Sequence, residues 1–241
     1  MMFLSNSSLS SVVLSQVKFK LKAYNGLIYS LIILQLFGIL IASGAGSSGT
    51  AIISTSMNLN RTSIEVGFLL VSFLAISVGN LITTKAYRYD DFSYVATRFS
   101  SNLANIIILL FFSIFAGVTT YLSGYIVRFL MFFFSTEFVD SPSIFEDPAG
   151  TFSIILSMIF VLWMFSSVGY LAGTLFQKQK LLFFAVLIVF VLLLMSKIWV
   201  TTYVFIFMNE SLLILTSKMI GITIVLFVAS TWISNRMEVR L

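Results

Sequence analysis

Residues 104–127, ANIIILLFFSIFAGVTTYLSGYIV, decide how the rest of the chain is read. The stretch holds no charged residue and exceeds the ~20 residues that carry a helix across a ~30 Å hydrocarbon layer. Five more stretches near or above that length surround it: Leu27–Ser43, Val66–Thr83, Phe152–Leu175, Leu181–Val200 and Leu212–Ser230. In water they would leave more apolar surface than one small core could bury. The sequence therefore predicts an all-α polytopic membrane protein with six transmembrane helices. Residues 1–241 form one transmembrane domain, without room for a separate soluble one.

Composition agrees and removes several chemistries. Hydrophobic residues make up 59% of the chain and charged residues 10%, against soluble averages of ~45–50% and ~25%. Cysteine and histidine are both absent. That excludes disulfides, thiolate nucleophiles, Ser–His proteolysis and His- or Cys-based metal sites. No G-x-x-x-x-G-K-[ST] loop occurs, so the chain has no P-loop of its own. The sequence predicts no catalytic, cofactor-binding or metal site. The net charge of +5 is spread over helix ends rather than gathered in a patch, which argues against nucleic acid as a partner.

Those basic residues set an orientation. With the N-terminus in the cytoplasm, the inside set is Lys18, Lys20, Lys22, Lys85, Arg88, Arg98, Lys178, Lys180, Arg236 and Arg240. Arg61, Arg128, Lys197 and Lys218 fall outside or near the outer boundary. This asymmetry predicts a multi-pass protein of the cell membrane with both termini cytoplasmic. The acids Glu137, Asp140, Glu146 and Asp147 cluster in one outer loop, which fits. Residues 18–45 also have the layout of a signal peptide. The long lead before Lys18 and the five spans that follow favour an uncleaved first helix.

Ahead of the first span, residues 12–24 read as an amphipathic interfacial helix. Val13, Val17, Leu21 and Tyr24 recur at helical spacing, with Lys18 and Lys22 on another face. Such a helix lies in the headgroup plane, its lysines on anionic lipid and its stripe toward the acyl chains. A plain basic flank to the first span is the simpler alternative. Both prolines, Pro142 and Pro148, fall in the acidic outer loop 135–151, where helix breakers are harmless.

The most distinctive polar segment is 84–103, TKAYRYDDFSYVATRFSSNL. Lys85, Arg88, Asp90, Asp91, Phe92, Tyr94 and Arg98 mix both charge signs with aromatics, the residue types that anchor interfaces. Asp90 or Asp91 could cap a short docking helix through Phe99; a solvated loop with interfacial aromatics is the alternative. Arg128, Lys197, Glu210 and Lys218 sit near the outer boundary, where snorkelling to water is the simpler account. A pathway or ion-pair role for Arg128, and a polar outer gate with Glu210 pairing to Lys197 or Lys218, are the alternatives. Within the spans, Gln35, Asn80 and Asn105 are expected to face the bundle. Gly169 and Gly173, with Ser166 one turn earlier, permit a close helix crossing or a dimer contact. No carboxylate is placed firmly inside a span, which weakens an ion-coupled transporter.

In order, the chain offers a basic amphipathic helix, six spans and a polar loop between the second and third. The loop reads Asp90-Asp91-Phe92-Ser93-Tyr94-Val95-Ala96-Thr97-Arg98, followed by Asn102-Leu103-Ala104-Asn105. This arrangement resembles the small permease subunits of type-2 ABC exporters of Gram-positive bacteria. The architecture covers nearly the whole chain and the motif about sixteen residues. The resemblance implies that residues 12–24 are a connecting helix and 85–101 a coupling helix, both resting on a separate cytoplasmic ABC ATPase that binds ATP. It also implies a second permease, identical or homologous, and export of a peptide or other amphipathic substrate. The 201–211 segment departs from the family, being barely long enough for its short re-entrant outer helices. A stand-alone immunity protein that binds a peptide toxin without transport is the competing reading.

Overall fold

The structure is a computed structural model, and it describes residues 9–44, 64–84, 87, 97–134, 147–180, 183–184, 188 and 212–235. Six helices occur among them: α1 Leu9–Ala23, α2 Asn25–Gly44, α3 Ile64–Ile82, α4 Arg98–Phe134, α5 Pro148–Lys178 and α6 Leu212–Asn235. Asn25–Ser43, Phe99–Leu130, Pro148–Lys178 and Ile214–Asn235 are long and apolar enough to cross a membrane, and Val66–Ile82 is a shorter apolar helix. Most of the predicted fifth span, 181–200, lies outside the described residues. No strand occurs among those described.

Local chemistry sets the helix ends. Asp147 caps α5 by accepting from the Gly150 amide at 2.9 Å, with Pro148 in the first helical position, where a missing N–H costs nothing. Thr97 does the same for α4, its hydroxyl accepting from the Ser100 amide at 3.2 Å. Between α1 and α2 the chain turns at Tyr24, whose amide still bonds the Lys20 carbonyl.

α5 is the centre of the bundle, packed most extensively on α3 and α6 and also on α4. Its buried face is rich in small and polar residues, Ser157, Ser166, Ser167, Gly169, Gly173 and Thr174 beside Ile159, Leu162, Tyr170 and Leu175, whereas Phe152, Ile154, Val168 and Phe176 are exposed. This inverts the pattern of a soluble helix. In lipid, apolar side chains gain little by leaving the acyl chains, so small residues that let backbones approach become the interface. The serine hydroxyls are satisfied locally: Ser166 donates to the Trp163 carbonyl and Ser167 to that of Met164. α2 shows the complementary surface, with Tyr29, Ile33, Leu36, Phe37 and Leu40 all exposed.

The glycine pair of α5 is used inside the chain. A Cβ on Gly169 would run into the Ile76 backbone of α3, and one on Gly173 into Thr83 and Asn80. Gly79 of α3 reciprocates, its missing Cβ leaving room for Ser166 and Tyr170. The G-x-x-x-G thus forms the α3–α5 crossing.

Partners fix the helix directions. Gln35 of α2 meets Thr119 and Thr120 of α4, and Ile39 and Ala42 pack with Val127, so α2 and α4 run parallel. Asn105 reaches Tyr170 while Gly117 abuts Ile159, so α5 runs against α4. Phe227 of α6 packs on both Trp163 and Tyr170, and Ser234 reaches Asn102 near the start of α4. α6 therefore runs parallel to α5. Consequently α5 ends and α6 begins at opposite ends of the bundle.

Candidate functional site

The α2–α4 register locates the site. Since Gln35 is level with Thr119 and Thr120, the first turns of α4 extend beyond the start of α2, into the layer occupied by α1. α4 has 37 residues, about 55 Å at ~1.5 Å per residue, so it has length to spare. Asn102 and Asn105 thus stand at one end of the bundle, level with α1, rather than at mid-depth.

Here five side chains from four helices form one hydrogen-bonded chain. Lys20 Nζ of α1 donates to Asn105 Oδ1 of α4. Asn105 Nδ2 donates to the Tyr170 hydroxyl of α5 at 3.3 Å, and that hydroxyl donates to Asn102 Oδ1 at 2.9 Å. Ser234 Oγ of α6 donates to the same Asn102 oxygen at 3.4 Å. The direction has a physical origin. An ammonium can only donate, so Asn105 must turn its oxygen to Lys20 and its amino group to Tyr170. The phenol accepts there and passes its single proton to Asn102. The group left over is Asn102 Nδ2, which is buried without a hydrogen-bond partner. Tyr170 is the hub: its ring packs on Phe227, its hydroxyl joins two asparagines, and its amide lies against Gly79.

α1 rests on this junction by a face that differs from the predicted one. Val13, Val17 and Tyr24 are buried in the bundle core, together with Gln16 and Lys20, each only 2% exposed. Leu21 is exposed, as are Lys18 and Lys22. Helical geometry explains the correction: relative to Val13, Leu21 is rotated by about 80° and Lys20 by only about 20°. The stripe that the sequence turns toward acyl chains is, in the structure, turned into protein. The Gln16 amide pays for that burial, since neither its nitrogen nor its oxygen has a partner.

Of the predicted docking residues, Lys85, Arg88, Asp90, Asp91, Phe92 and Tyr94 lie outside the described residues. Arg98 opens α4, and only its backbone is described. Tyr87 is half-buried and meets Tyr24 edge-to-face with ring centroids 4.8 Å apart, so the segment between α3 and α4 touches the end of α1. At the other end of α4, the Arg128 guanidinium lies over the Tyr125 ring at 5.0 Å, and Tyr125 pairs with Tyr121. Lys218 is half-buried near the start of α6; Lys197 and Glu210 lie outside the described residues. Among the described residues no group of His, Cys, Asp or Glu could hold a metal ion.

Sequence reading missed Lys20, Asn102, Tyr170 and Ser234 as a unit. Lys20 alone gave a sign, since it falls at i+7 from Val13 and i−4 from Tyr24. The other three come together only through the α4–α5–α6 packing.

Among the described residues the fold is all-helical, with four helices long and apolar enough to cross a membrane, as in a membrane-embedded protein. No protein-family model matches the chain, and neither a curated protein nor a solved structure does.

Proposed function

We propose that this chain is the permease subunit of an ATP-binding-cassette exporter, working with a separate cytoplasmic ATPase and a second permease to move a peptide or other amphipathic substrate. The observation that carries the reading is the meeting of α1 with the segment between α3 and α4, made by Tyr24 and Tyr87. A permease driven by a separate motor needs a surface where motion enters, built on elements joined to the spans. α1 continues into α2 through one residue, the 84–98 segment continues into α4, and Lys20 ties the two helices together.

The proposed topology has six spans with both termini cytoplasmic. The parallel course of α5 and α6 supports it, because α5 ends and α6 begins at opposite ends of the bundle. The shared end of α1 and α6, marked by Lys20 and Ser234 at the start of α4, supports the placement of both termini. Lys18, Lys22, Lys178 and Lys180, exposed at that end, support a cytoplasmic assignment for it by the positive-inside rule.

The test is purification of the tagged chain from its native membrane in mild detergent, after crosslinking. A stoichiometric ATPase subunit is expected, and the triple charge reversal of Arg88, Asp91 and Arg98 should abolish its recovery while insertion persists. Recovery of the chain alone from crosslinked membranes refutes the permease reading and leaves the stand-alone immunity protein.

A further inference from the structure

We propose that α1 is a reversible latch with two resting places, the bundle and an anionic membrane surface, and that Gln16 and Lys20 set the balance between them. The proposal rests on a membrane setting and on the contacts of α1, and needs no ATPase.

α1 is held to the bundle by Val13, Val17 and Tyr24 and by the Lys20–Asn105 bond. The apolar part of that hold is not unique to the bundle. A stripe of this kind is equally content against acyl chains when the helix lies in the interface, and α1 is joined through Tyr24 to a helix apolar enough to span. Transfer from protein to lipid therefore changes little apolar burial. The polar side chains decide, and they pull in opposite directions.

Docking gives Lys20 its bond to Asn105. Against that, docking strips water from both ends of the Gln16 amide and returns nothing, since both atoms are buried and unpaired. A buried unpaired amide costs about as much as a good hydrogen bond to a charged group supplies. On the membrane surface Gln16, about 60° around the helix from Val13, reaches the hydrated edge of the stripe, and Lys20 snorkels its ammonium out of the stripe to the headgroups. No acid occurs before Glu65 to oppose this. Anionic lipid should thus favour release, because it offers Lys20 a second partner that zwitterionic lipid does not.

The latch also bears on the junction. Lys20 is the donor that fixes the direction of the Asn105–Tyr170–Asn102 chain. When α1 leaves, Asn105 Oδ1 loses that donor, so the two asparagine amides can reverse and give Asn102 Nδ2 the phenol as acceptor. The seating of α1 is in this way written into the start of α4 and the last turns of α5.

The chain has no cysteine, so spin labels can be placed at Ser15→Cys on α1 and Lys178→Cys at the end of α5, both exposed positions. Distance distributions are read on the full chain in vesicles of phosphatidylcholine, alone or with one third phosphatidylglycerol. Two populations are expected, with the longer one raised roughly fivefold by the anionic lipid and the rise suppressed by high salt. Gln16→Leu should shift the balance toward the docked distance by roughly tenfold, and Lys20→Met away from it by a similar factor. Leu and Gln have similar helix propensity, so the first shift reports docking rather than helix content. A single distance that ignores Gln16→Leu and lipid charge overturns the proposal, and Gln16→Leu suffices should Lys20→Met fail to fold.

Discussion

The α3–α5 crossing and the junction at the start of α4 are two solutions to one problem, holding helices together where burial of apolar groups gives little. At the crossing, Gly79, Gly169 and Gly173 remove side chains until backbones touch. At the junction, Lys20, Asn105, Tyr170, Asn102 and Ser234 keep their side chains and connect them by hydrogen bonds. The first contact has one fitting geometry and fails if anything is added. The second can be rewired, because amides and hydroxyls can exchange donor and acceptor roles. Rigidity at one place and adaptability at the other is a sensible division for a bundle that must move as α1 docks and leaves.

The comparison can be broken most severely at the glycines. Gly169→Leu should abolish recovery of folded, monodisperse protein, since even a Cβ there would lie 2.8 Å from the Ile76 carbonyl carbon. If the variant purifies normally and unfolds at the wild-type detergent concentration, the crossing is not the rigid element. Tyr170→Phe comes next. It keeps the ring against Phe227 but removes the hydroxyl between two buried asparagines, at an expected cost of about 1–3 kcal/mol in reversible SDS unfolding. A loss as large as that of Gly169→Leu would show the junction to be as unforgiving as the crossing.

Two smaller effects sharpen the contrast. Gln35 donates to Thr119 at 2.8 Å and to Thr120 at 3.1 Å, joining α2 to α4 away from both sites. Gln35→Leu should cost only about 0.6 kcal/mol in the same assay, the usual worth of such bonds in lipid. Gly221 of α6 has nothing within 4 Å of where a Cβ would be built. Gly221→Ala should therefore be neutral or slightly stabilising, by at most ~1 kcal/mol, opposite in sign to any substitution at Gly169.

Much of the fold was legible because lipid imposes a crude rule, that long uncharged apolar runs become helices with internally paired backbones. The stretches around α2, α4, α5 and α6 could be read this way, and Gly169 and Gly173 announced a close crossing. The partner of that crossing could not be read, since a small-residue pair fits a neighbour in the same chain as well as a second copy. The site was harder still. Lys20 looked like one more positive charge at a helix end, because a basic residue before a span has a ready explanation in orientation. Asn102, Tyr170 and Ser234 are far apart in sequence, on helices whose rotation no local pattern fixes.

By itself, then, the sequence pointed to a membrane setting and a helical class, which follow from composition and run length, and it supplied no cysteine or histidine. The tertiary structure alone decided that α1 turns Val13, Gln16, Val17 and Lys20 into the bundle, that α5 stands at the centre, and that one tyrosine joins three helices. Those outcomes depend on which faces meet. In a chain whose apolar residues are at home on every side, only close packing and buried hydrogen bonds choose among the faces.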